Sequence, residues 1–136
     1  MSGMEVLSSR ILIRPRDPRR ATAFYRDVLG LAVFREFPGG TVFFLGQGLL
    51  EVSGHGEGEP PSSHTMIYLQ VREVRAAFAE LAERGVTALR EPQREPWGTV
   101  EGWIADPDGV RIVLVEIPAD HPLRVDVRPP SEVSSV

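Results

Sequence analysis

Three imidazoles, two indoles and no thiol bound the chemistry open to this 136-residue chain. His55, His64 and His121 are its nitrogen donors for a metal ion or a proton. His55 lies in a Gly/Pro-rich stretch and His121 near the carboxyl-terminal end, where both are expected as solvated polar residues, so His64 is the histidine to watch. The lack of cysteine removes disulfides and thiolate chemistry and fits a reducing, cytoplasmic setting. Serines fall mainly between apolar runs and at the ends of the chain. No Gly-x-Ser-x-Gly elbow is present and no glycine-rich phosphate loop precedes a helix, so nucleophilic catalysis and nucleotide cradling find no support. Trp97, flanked by Pro96 and Gly98, offers a platform on which a planar ligand can stack, whereas Trp103 suits packing as well as binding.

The elements that must position these residues are written twice. Arg10 to Asp17 leads into a helical stretch ending at Leu29-Gly30-Leu31, and Met66 to Glu73 leads into another ending at Arg84-Gly85-Val86, with corresponding residues 56 apart. Period-two alternation predicts a strand in each copy. Ile11 and Ile13 share one face with Arg10, Leu12 and Arg14 on the other, and Ile67, Leu69 and Val71 oppose Met66, Tyr68 and Gln70. Apolar stripes at i, i+3, i+4, i+7 predict the helices, Ala21, Phe24, Tyr25 and Val28 in the first and Val74, Ala77, Phe78 and Leu81 in the second. Gly30 and Gly85 are placed to end them. Apolar runs at 32–37, 41–45 and 49–52 predict three further strands in the first copy, and runs at 87–89, 99–105 and 110–117 three in the second. Asp106-Pro-Asp-Gly109 suits a type I turn between the last two. The fold class is α+β, a single domain of two βαβββ modules at 8–53 and 65–117. A polar linker at 54–64 joins them, and 118–136 is expected as a flexible or partner-draped tail.

Composition narrows the partners. With 42% hydrophobic and 25% charged residues the chain has ordinary globular usage. No apolar run approaches the ~20 residues of a bilayer span, and the first residues lack the basic start and apolar core of a signal peptide, so no membrane partner is expected. A net charge of −4 without a basic stripe argues against nucleic acid.

The run Ala23-Phe-Tyr-Arg-Asp-Val-Leu-Gly-Leu31, then the duplication, then Asp106-Pro-Asp-Gly109 before the last strand, resembles the glyoxalase/bleomycin-resistance/extradiol-dioxygenase family, also called the vicinal oxygen chelate family. The likeness spans residues 8 to 117. It implies two βαβββ modules curled into a concave mixed-sheet cleft, commonly with dimerisation. In catalytic members it also implies a divalent metal on four inward side chains, His or Gln on each module's first strand and Glu on each last strand. Carried over, those positions fall on Arg10, Glu51, Met66 and Val113. Only Glu51 is a usable ligand, because arginine brings a fixed positive charge, methionine a soft thioether and valine no donor. No cofactor is therefore expected, the alternative being a divalent metal on a shifted site of Glu51 and His64.

The remaining cleft candidates follow from alternation: Leu12 and Arg14 beside Arg10, Tyr68 and Gln70 beside Met66, and Arg111 beside Val113, with Trp97 and Trp103 flanking. Such a wall, apolar with sparse polar groups, is what a small-molecule pocket needs. Arg10 is expected to pair with Glu51, a guanidinium standing where the metal would be. The first expectation is a homodimeric small-molecule binding or sequestration protein that lacks the usual metal tetrad. The second is a glyoxalase- or dioxygenase-type enzyme, a lyase or oxidoreductase, with a shifted metal site or none. Glu51 as base and Tyr68 as acid would serve the metal-free form, although pairing with Arg10 would weaken the base.

Overall fold

The computed structural model describes residues 3–54 and 58–124, so His55 and the tail beyond 124 lie outside the described residues. The first module runs β1 (Ile11–Ile13), α1 (Pro18–Ala23), β2 (Val33–Phe37), β3 (Gly40–Leu45) and β4 (Gly48–Ser53), with α1 continuing as a π-helical turn over Phe24–Val28. The second runs β5 (Met66–Gln70), α2 (Val74–Glu83), β6 (Arg90–Arg94), β7 (Val100–Ala105) and β8 (Arg111–Glu116). Asp17 caps α1 by accepting from the Arg20 amide at 3.1 Å, and Pro18 opens the helix where its missing N–H costs nothing. Glu73 gives α2 no side-chain cap, and Glu116 of β8 instead accepts from the Val74 amide at 3.0 Å. Gly30 and Gly85 follow their helices at φ of 74° and 85°, the left-handed values that a β-carbon disfavours.

The two modules form sheets of the same topology, β1-β4-β3-β2 and β5-β8-β7-β6. In each, the first strand pairs in parallel with the last and the other pairings are antiparallel. Alternation then sends one row of each strand towards the helices. Phe43, Leu50 and Val52 pack there with Ala21, Phe24 and Tyr25, and Ile67, Ile104, Ile112 and Leu114 with Val74 and Leu81. These residues form one buried cluster drawn from both modules. Met66, Trp103, Val113, Val115 and Ile117 make a second, smaller cluster.

Among the described residues, three polar contacts tie the modules together. The buried Tyr25 hydroxyl donates to Asp106 at 2.7 Å, Arg16 holds Asp108 through a 2.7 Å bond to its carboxylate and a 3.1 Å bond to its carbonyl, and Arg84 donates to the Val28 carbonyl at 2.8 Å. Tyr25 and Asp106 belong to the two sequence runs that carried the resemblance, so those runs meet in space. The other Asp106 oxygen accepts from the Asp108 and Val110 amides at 2.9 Å each and shapes the turn. Burial above all, and then the facing Asp106 carboxylate, push the Tyr25 phenol far above its ordinary range.

The sixth strand departs from expectation. The apolar run 87–89 is not a strand, and pairing with β7 occupies Arg90–Arg94, with the Leu89 amide donating to the Trp103 carbonyl at 2.8 Å. An outer strand needs no apolar alternation and tolerates Pro92 where the ladder is interrupted, so Arg-Glu-Pro-Gln-Arg carried no strand signal.

Candidate functional site

Strand register places the four family positions independently of the sequence motifs. Leu12 pairs with Glu51 and Tyr68 pairs with Val113. Leu12 and Tyr68 are the 56-residue equivalents, so Glu51 and Val113 are equivalent too. Arg10, just before β1, bonds Glu51 through Nη1 to Oε1 at 2.8 Å, with Glu51 mostly covered and Arg10 37% exposed. The expected pair therefore forms. In the second module Met66 and Trp103 pack against the cluster that holds Val113, leaving a thioether and an isopropyl group at the equivalent points.

The candidate residues fall into two groups, one on each sheet. Arg10, Leu12 and Glu51 stand together on the first sheet, and Met66, Tyr68, Trp103, Arg111 and Val113 on the second. The guanidinium carbons of Arg90 and Arg111 lie over the Trp103 ring, 5.1 and 5.9 Å from its centroid. Arg90 also pairs with the buried Glu95, and Arg111 donates to the Ser63 carbonyl. Trp103 Nε1 is the buried side-chain polar atom left without a partner among the described residues. Trp97 is 61% exposed and donates its indole N–H to Glu101 at 2.9 Å.

Arg14 turns away from the group, reaching Glu59 of the linker at 3.7 Å. Tyr68 and Gln70 line a cavity near the β3–β4 turn. His64 is exposed, its backbone N–H donating to Ser62 Oγ. His121 is less free than its position in the tail suggested. Its Nδ1 accepts from the Leu123 amide at 3.1 Å, so Nε2 carries the proton that meets the Trp97 carbonyl at 2.7 Å. Sequence reasoning missed Arg90, Glu95 and Glu101, which lie in the 90–98 stretch left between the predicted strands at 87–89 and 99–105 or just beyond it. Their signal is the period-two placement of Arg90, Glu101 and Trp103 across a strand pair, visible only once β6 is registered against β7.

Among the described residues no group of three or more His, Asp or Glu side chains is arranged to hold a metal ion. The donor set at the four family positions does not fit a hard divalent cation, since its one carboxylate is bonded to a guanidinium and no second donor faces it.

The profile of the Glyoxalase/Bleomycin resistance protein/Dioxygenase superfamily matches residues 8–114, and the chain belongs to that superfamily. Among solved structures, a member of the superfamily from Sphaerobacter thermophilus is 25% identical, with a TM-score of 0.66 over 82% of this chain and 98% of that one. TioX from Micromonospora sp. ML1 is 20% identical, with a TM-score of 0.67 over 82% and 100%. Lactoylglutathione lyase from Agrobacterium tumefaciens is 19% identical, with a TM-score of 0.61 over 85% and 96%. The last two show a shared fold. A search of curated proteins gave no match.

Proposed function

We propose that the protein binds and sequesters a small molecule, in the manner of the bleomycin-resistance branch of its superfamily, as a metal-independent cytoplasmic homodimer. The observation that carries this reading is the Arg10–Glu51 pair at the position where catalytic relatives need a free ligand, matched by Met66 and Val113 in the other module. Around these positions Leu12, Met66, Tyr68, Trp103 and Val113 offer apolar and aromatic surface, and Arg10, Glu51, Arg90 and Arg111 offer charged groups to orient a ligand. Dimerisation is supported by Phe34 and Phe44, each about half exposed, an area of apolar surface that pairing would cover. Phe34 and Phe44 form an edge-on pair with ring centroids 5.1 Å apart.

The test combines elemental analysis of the purified protein with a thermal-shift screen of small aromatic and polar compounds, run with and without chelator. A saturable rise in Tm that chelator leaves unchanged is the expected result. Stoichiometric copurified metal whose removal abolishes binding or turnover would overturn the reading and favour an enzyme in which Glu51 leaves Arg10 to join His64.

A further inference from the structure

The geometry points to a carboxylate-binding site at the seam between the modules, around Arg72, and this rests on the small-molecule reading above. A cavity of about 650 Å³ opens there. The β3–β4 turn, Leu45 to Gly48, forms one wall, Tyr68 to Arg72 the other, and Arg124 the rim. The volume suits a small organic ligand. The lining is one-sided in charge: two guanidiniums, the carboxamides of Gln47 and Gln70, the Tyr68 phenol and no acid. Glu116 is engaged with the head of α2. Among the described residues neither Arg72 nor Arg124 is in an ion pair, and Arg124 bonds the Ile117 carbonyl through Nη1 alone, leaving other donors.

The duplication says what belongs in this space. Fifty-six residues before Arg72 stands Arg16, which holds the Asp108 carboxylate in the β7–β8 turn of the other module. The corresponding turn facing Arg72 is β3–β4. It is shorter, with two residues between the Leu45–Gly48 pair against five between Ala105 and Arg111, and those two are Gly46 and Gln47. One half of the molecule therefore supplies its arginine with a carboxylate, and the other half leaves a cavity at the same place. A ligand carboxylate takes the role of Asp108, accepting from Arg72 and Arg124 while the rest of the molecule lies along Tyr68 and Gln70.

The experiment is calorimetric titration of the full chain with benzoate, benzamide and inorganic phosphate, comparing wild type with Arg72→Gln, Gln47→Glu and the surface control Arg94→Gln. Each is checked for folding by circular dichroism. Benzoate is expected to bind more tightly than benzamide, and Arg72→Gln to weaken it at least about tenfold, the loss of one charge-assisted hydrogen-bonding partner. Gln47→Glu, which supplies the missing carboxylate from within, should weaken benzoate similarly, and Arg94→Gln should not. Phosphate binding above benzoate would replace the carboxylate assignment with a phosphate one. Benzoate binding indifferent to Arg72→Gln and Gln47→Glu would overturn the site while leaving the small-molecule reading standing. Failure of these probes and of every screened compound would overturn both.

Discussion

The Tyr25–Asp106 bond can be tested through its alkaline signature. Tyr25 is fully buried and its hydroxyl faces a carboxylate, so ionisation is strongly resisted in the folded chain and unhindered in the unfolded one. The raised folded value fixes the sign. The stabilisation is complete below the unfolded pKa of about 10 and declines as pH rises above it, because the unfolded state sheds a proton that the folded state keeps. The slope approaches about 1.4 kcal/mol per pH unit, giving a loss of roughly 1.4 kcal/mol at pH 11 and 2 kcal/mol at pH 11.5. The chain contains no lysine and no cysteine, so few other groups titrate in this window, and Tyr68 is common to both proteins compared. Tyr25→Phe also removes the hydrogen bond and should cost about 1.5–3 kcal/mol at pH 8. Urea unfolding followed by circular dichroism at pH 8, 10, 11 and 11.5 should show the wild-type advantage narrowing by about 2 kcal/mol across the series. An advantage that stays constant to pH 11.5 would refute the buried phenol–carboxylate pairing.

Converting the family positions should create what the wild type lacks: Arg10→His, Met66→His and Val113→Glu together give two imidazoles and two carboxylates, and calorimetry should show tight Ni²⁺ binding by the variant alone. A folded triple variant no better than wild type would show that the four positions do not converge. Gly102→Ala places a methyl 2.5 Å from the Phe78 ring and should destabilise by about 1–3 kcal/mol, read from the urea midpoint; an unchanged midpoint would mean that α2 sits further from β7. Light scattering should give twice the 15.0 kDa chain mass at micromolar concentration, and a monomer there would count against pairing.

The fold was legible because its signals are local. Alternation around Ile11 and Ile67, the two helical stripes and the glycines behind them each depend on a few neighbours, and all reappear in the structure. The strand at Arg90–Arg94 was hidden because an outer position removes the apolar alternation that marks inner strands. The Arg10–Glu51 pair was legible through the repeat and the family pattern together, since 41 residues separate the partners and neither has a local signature. The Arg–Trp–Arg arrangement at Trp103 was not, because it joins β6, β7 and β8 through register alone. Arg72 went unnoticed because an exposed arginine after a strand is ordinary in sequence; its interest lies in the empty space that a short turn leaves opposite it.

One outer strand of each sheet, β2 and β6, carries a consequence for how copies of this protein can meet. β2 is interrupted between Val33 and Arg35, and β6 between Arg90 and Gln93 with Pro92 inside the break. Each also presents charged side chains along its length. A bent, proline-broken or charged rim offers an approaching strand no continuous row of amides and carbonyls to zip onto. Ribbon-like growth from chain to chain is therefore disfavoured along β2 and β6, one edge of each sheet.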